Sequence, residues 1–161
     1  MITAAQCNDT IAILGLGRVG TALGFLLRQA GYRIAAVASR SPASLQRGVS
    51  YTGGRACTSY PEAAAMADCI FITTSDDAIA DVCNMLADQG ALQPGNKVIH
   101  MSGAGGLDLL ESARRKGAYV GSIHPLQTLP DNGRVFIARH RLKGHPRRHA
   151  KWRMLICATR R

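Results

Sequence analysis

The chain has 161 residues, 47% of them apolar, with 20 Lys/Arg against 10 Asp/Glu and a formal net charge of +10. That length and apolar fraction suit one globular domain with a buried core. No uninterrupted apolar stretch reaches the ~18 residues of a membrane span, and Met1 to Thr10 lacks the charged-then-apolar pattern of a secretory leader, so a cytoplasmic protein is expected.

Ile11-Ala12-Ile13-Leu14 reads as a buried strand that runs into Gly15-Leu16-Gly17-Arg18-Val19-Gly20. Each glycine of this G-x-G-x-x-G pattern has a mechanical task. The first permits a tight turn, the second keeps a side chain away from a pyrophosphate, and the third lets the next helix pack against the strand. The helix start then offers N–H groups and a positive dipole end to the phosphates. Val19, Leu23, Leu26, Leu27 and Ala30 recur at helical spacing, and Gly31 follows as a cap. The apolar run Ile34–Ala38 completes a βαβ unit of about 30 residues. Glycines in such a unit also serve packing alone. Their place between strand and helix favours a dinucleotide site built on residues 15 to 20.

NAD sites usually carry Asp or Glu about 20 residues past the glycines, on the ribose 2′-OH. Ser39-Arg40-Ser41 stands there instead. A guanidinium and two hydroxyls suit a 2′-phosphate that a carboxylate would repel, so NADP(H) is expected in preference to NAD(H). The alternative is a solvated Arg40 beside a helix opened by Ser41-Pro42.

Arg55–Thr58 reads as a short third strand. Ser59-x-x-Glu62 resembles a capping box, with Pro61 in the first turn of a helix through Ala67. Cys69–Thr74 is a strand apolar on both faces, as a parallel sheet requires. Ser75-Asp76-Asp77 opens a helix with Ile79, Val82, Cys83 and Leu86 on one face, closed by Gly90. Pro94-Gly95 turns into the strand Lys97–Met101. A helix over 107–116 closes at Gly117, and Tyr119–Ile123 is a sixth strand. The alternation predicts an α/β fold: a doubly wound, mostly parallel Rossmann sheet in the order 3-2-1-4-5-6. That order lines up residues 15–20, 39–41, 73–77, 101–106 and 124–128 on one rim.

Candidate chemistry lies on that rim. In similar folds the turn formed here by Thr73, Thr74 and Ser75 lies beside the nicotinamide ribose, with helix capping as an equal explanation of Ser75 and Asp76. His124, before Pro125, is a candidate proton donor or acceptor, since imidazoles titrate near neutrality; fixing the turn is the alternative. Ser102, flanking Met101 opposite His100, is a candidate for orienting a carbonyl or imine; both also suit satisfied polar groups at a strand end.

The five cysteines, Cys7, Cys57, Cys69, Cys83 and Cys157, form no CxxC pair, so reduced thiols are expected. Residues 1–133 hold 10 Lys/Arg and 10 Asp/Glu; residues 134–161 hold the other 10 Lys/Arg and no acid. Such a break marks a boundary between a domain over 1–133 and an irregular basic tail over 134–161. His140, His145 and His149 lack the partners of a zinc site, so no metal is expected. With only Trp152 to stack, nucleic-acid binding by the tail ranks last.

In order, Gly15-Leu-Gly-Arg-Val-Gly-Thr-Ala-Leu, Ala38-Ser-Arg-Ser-Pro, Ser75-Asp-Asp-Ala-Ile, His100-Met-Ser-Gly and Gly121-Ser-Ile-His-Pro-Leu-Gln-Thr resemble bacterial Rossmann-like oxidoreductases with a DUF2520 domain. These are related to the F420-dependent NADP oxidoreductases and, more distantly, to pyrroline-5-carboxylate reductase and 6-phosphogluconate dehydrogenase. The resemblance covers residues 10 to about 133, and its most specific run is His-Pro-Leu-Gln-Thr. It implies hydride transfer between NADP(H) and a small-molecule substrate. It also implies a helical C-terminal domain that closes the cleft and often builds a homodimer. Prephenate dehydrogenases, loosely similar, carry a functional histidine before a proline in a segment like that of His124. The pattern stops after Asn132, so a truncated or frameshifted remnant is expected in place of that domain. A dinucleotide-binding module without catalysis is the alternative function.

Overall fold

The computed structural model of the chain describes residues 9–124. Six strands alternate with helices: β1 (Thr10–Leu14), α1 (Arg18–Gln29), β2 (Arg33–Ala38), α2 (Pro42–Thr52), β3 (Arg55–Cys57), α3 (Tyr60–Ala64), β4 (Cys69–Ile72), α4 (Ile79–Asp88), β5 (Lys97–His100), α5 (Glu111–Arg115) and β6 (Tyr119–Ser122). All pairings are parallel, and the order is β3-β2-β1-β4-β5-β6. The doubly wound α/β sheet expected from the alternation is therefore the observed one. The order reverses between β1 and β4, and β1 leads straight into the glycine turn.

The two-residue repeat of β1 splits the core. Ile11 and Ile13 point to one face, with Val37, Phe71 and Ile99, where Leu27 of α1 and Leu45 and Val49 of α2 cover them. Ala12 and Leu14 point to the other, with Ile70, Ile72 and Val98, under Ala63 of α3, Leu86 of α4 and Ala113 of α5. Every residue of β4 is buried, as a strand sandwiched between helix layers must be.

On the first face the helices approach closely through glycines. A methyl on Gly24 of α1 would lie 2.4 Å from Cγ2 of the buried Thr52, at the end of α2. One on Gly48 of α2 would lie 2.7 Å from Cδ1 of Leu16, a glycine-turn residue. Leu16 is buried in that slot, which seats the glycine turn on α2.

Several local expectations are corrected. Helix α3 ends at Ala64 rather than Ala67, β3 at Cys57, β5 at His100 and β6 at Ser122, and a 3-10 turn over Asp76–Ala78 precedes α4. Thr73 and Thr74 leave the strand, because Thr73 turns its hydroxyl into the glycine turn. Residues 107–116 form a 3-10 turn, Leu107–Leu110, before one α-helical turn. The Ser59 hydroxyl does cap α3 by accepting from Glu62 N at 3.3 Å. The Glu62 carboxylate, however, accepts from Thr58 N and Oγ1, one residue before the box position.

Cys57, Cys69 and Cys83 are buried, and no disulfide joins them among the described residues. Burial pushes the Cys57 and Cys83 thiols up. Among the described residues no helix is long and apolar enough to cross a membrane, and no group of metal-ligating side chains assembles. Cys7, Cys157, Pro125–Thr128 and the tail over 134–161, with His140, His145, His149 and Trp152, lie outside the described residues.

Candidate functional site

The glycine turn is fixed from below. Gly15 has φ +109°, a left-handed conformation that favours glycine. Its N–H donates to Ala38 O at 2.8 Å, tying the turn to the end of β2. Thr73, buried at the end of β4, places its hydroxyl 2.7 Å from Gly15 O and 3.1 Å from Leu14 O, and its N–H donates to Leu14 O at 2.9 Å. An added Cβ on Gly20 would fall 1.9 Å from Gly15 O and 2.6 Å from Thr73 Oγ1. Helix α1 therefore begins in contact with the turn, which only a residue without a side chain allows.

Gly17 differs. Its φ of −76° is open to any residue, it is exposed, and an added Cβ would meet nothing within 4 Å. No packing contact requires a glycine here; an N-cap tolerates one, and a ligand laid against the backbone would need one. Gly17 is also the N-cap of α1, supplies no capping side chain, and is followed by a first turn without acids. A helix start of this kind suits an anion. The residues present thus fit a pyrophosphate between Gly17 and Gly20, with Leu16 turned into the core, Arg18 exposed and Val19 half-buried.

At the end of β2, Ser39 is half-buried and Arg40 exposed. Ser41 is the N-cap of α2, its Oγ accepting from Ser44 N at 3.3 Å. The fold adds a neighbour hidden in the sequence. The Asp77 carboxyl is held below the usual carboxylate range, first by the Ser75 hydroxyl, then by its own backbone N–H, with the Arg40 charge contributing. Arg40 thus stands within electrostatic reach of an acid 37 positions away in sequence. Ser75 opens the 3-10 turn before α4 without a side-chain cap bond, its hydroxyl engaged with Asp77 instead. Thr74 Oγ1 is buried and has no hydrogen-bond partner among the described residues.

The ends of β5 and β6 form the other flank. His100 is fully buried. Ser102 N donates to its Nδ1 at 3.1 Å, which leaves Nε2 as the protonated nitrogen facing Gly106 O at 3.2 Å. Burial holds the ring below its ordinary titration range. Ser102 is also buried, and its Oγ accepts from Ala104 N and Gly105 N, both at 3.1 Å. It keeps its own O–H proton to donate. His124 is exposed on the rim, with its ring against Gly103.

A separate cavity of about 540 Å³ opens at the opposite ends of β1, β4 and β5, lined among others by Asp9, Thr10, Asp68, Asn96 and Lys97. Its polar groups pair with one another: Asp68 with Thr10, Lys97 with Asp9, and Asn96 with Ala67 O.

A strand-switch crevice, a clamped glycine turn and an uncapped helix start together define a dinucleotide-binding α/β domain. More narrowly, the chain belongs to the Rossmann-like domain family, whose model matches residues 3–125. Among solved structures it is similar to a Bacteroides fragilis protein assigned as an NADP oxidoreductase (TM-score 0.65, 22% identity, covering 74% of this chain and 44% of that one). It is also similar to an imine reductase from a Pseudomonas species (0.59, 28%, 71% and 40%). A third likeness is to a pyrroline-5-carboxylate reductase from Coxiella burnetii (0.62, 22%, 71% and 43%). The chain spans 40–44% of the length of these proteins. Among curated proteins no sequence match is found.

Proposed function

We propose that the chain is the NADP(H)-binding domain of an oxidoreductase of the DUF2520 type, acting on a small carbonyl or imine compound. The observation that carries this reading is Gly17, a glycine required neither by its backbone angles nor by any neighbour. Bound NADP(H) would supply the hydride chemistry. The chain's own residues do the rest. Residues 15 to 20 bind and orient the diphosphate through backbone N–H groups. Ser39, Arg40 and Ser41 take the 2′-phosphate, Thr74 and Ser75 border the nicotinamide ribose, and His124 gives or takes the proton that accompanies hydride transfer. In intact relatives of this type a further helical domain would close the cleft and build a homodimer.

The test is Gly17→Ala. The added methyl meets no protein atom, so the melting temperature should fall only by the few degrees expected of Ala in place of Gly at an N-cap. NADPH affinity should fall about tenfold or more, equivalent to about 1.4 kcal/mol, because the methyl occupies the diphosphate's place. Undiminished NADPH binding by this variant would sink the reading.

One observation favours a dinucleotide-binding module without turnover. His100 spends both ring nitrogens on its own loop, and Ser102 accepts two loop amides, so fewer polar groups face a substrate. NADPH binding without oxidation by any imine or carbonyl compound would favour it.

A further inference from the structure

The loop between β5 and the 3-10 turn at Leu107 is built around two buried side chains. His100 pins Ser102 N at one end and Gly106 O at the other. Ser102 Oγ gathers the N–H groups of Ala104 and Gly105. Gly103 stands exposed at the crest, and its φ lies outside the left-handed range, so its backbone does not call for glycine. A Cβ placed there would meet His124 Cε1 at 2.2 Å, Nδ1 at 2.3 Å and Nε2 at 2.9 Å. These three are the nearest heavy atoms, and all belong to one imidazole. The flank is closed by Ile123 N donating to His100 O at 2.9 Å, which fixes the backbone just before His124.

We infer that Gly103 is a positioning residue, its missing side chain forming the seat that holds the imidazole of His124 in one orientation on the rim. His100 and Ser102 hold the seat itself. An exposed histidine otherwise divides its time among staggered rotamers. A group that must meet a proton in one geometry works better when its rotamer is chosen beforehand. The inference rests on the reading of His124 as the proton-handling group, but the ring's position is measured without any turnover.

The experiment is NMR on the full chain with ¹⁵N-labelled histidine and no ligand. In the unaltered protein, a nuclear Overhauser contact between His124 Hε1 and the Gly103 Hα protons is expected; its absence overturns the inference. Gly103→Ala should displace the ring and so move the His124 Hε1 and Hδ2 resonances, while the circular dichroism melt holds. Unmoved resonances in a folded Gly103→Ala chain overturn it too. His124→Asn should shift the Gly103 amide and Hα signals by removing the ring current, and unshifted signals count against the seat even if Gly103→Ala does not fold. Turnover by NADPH with 1-pyrroline is a separate readout. If it survives His124→Asn while the ring contacts stand, the proton role fails and the seat does not.

Discussion

On the proposed reading, Arg40 is the residue on which cofactor choice would turn. It is exposed at the end of β2, flanked by one half-buried serine and by the serine that caps α2. A charge-assisted hydrogen bond to a phosphate contributes about 1.5–3 kcal/mol. Arg40→Ala should therefore weaken NADPH binding roughly tenfold to a hundredfold and leave NADH binding nearly unchanged. Titrating both nucleotides by fluorescence checks this, and equal losses for the two would count against a 2′-phosphate role. The residue scale also shows where sequence reading stops. The place of the serine-arginine-serine run, between the end of β2 and the start of α2, was legible because it follows from local pattern. Asp77 was not, because only the fold brings the acid of one strand end within reach of the cation of another. Gly103 carries no signal of its own in the sequence, because its partner, His124, arrives from the next strand.

At the scale of elements, α2 does more than cross over between strands. Its Gly48 leaves the slot in which Leu16 of the glycine turn is buried. Replacing glycine by alanine inside an exposed helix ordinarily stabilises it by about 1 kcal/mol. Here the new methyl would lie 2.7 Å from Leu16 Cδ1 and 2.9 Å from its Cβ. Overpacking of that kind costs about 1–3 kcal/mol, so the sign should reverse. Gly48→Ala is expected to lower the melting temperature and, by lifting Leu16, to weaken NADPH binding as well. A melting temperature at or above that of the unaltered chain would refute the coupling. The strands and their order were readable from apolar runs and punctuating glycines. Where they ended was less so. Thr73 and Thr74 have good strand propensity, yet Thr73 is claimed by the carbonyls of Leu14 and Gly15. Such claims are tertiary and leave no periodic trace.

The whole molecule responds to pH through its buried ring. His100 titrates below its ordinary value of 6.5 because burial disfavours the charged form. As pH falls below that value the unfolded chain takes up the proton first, so stability declines until the folded value is passed. Asp68, with its pKa lowered first by the Thr10 N–H, loses its contribution only as pH falls through its own depressed range. Between about pH 7 and about pH 5, urea melts should therefore show a falling stability that His100→Gln removes, whatever that variant's starting stability. An unchanged slope in His100→Gln would assign the decline to other groups. One more property follows from how Gly15, Gly20 and Thr73 interlock across β1, α1 and β4. A turn held at every corner has little slack to surrender when a nucleotide arrives. Association then carries a small ordering entropy, and the frequency of well-oriented encounters, rather than loop closure, sets how fast the site fills.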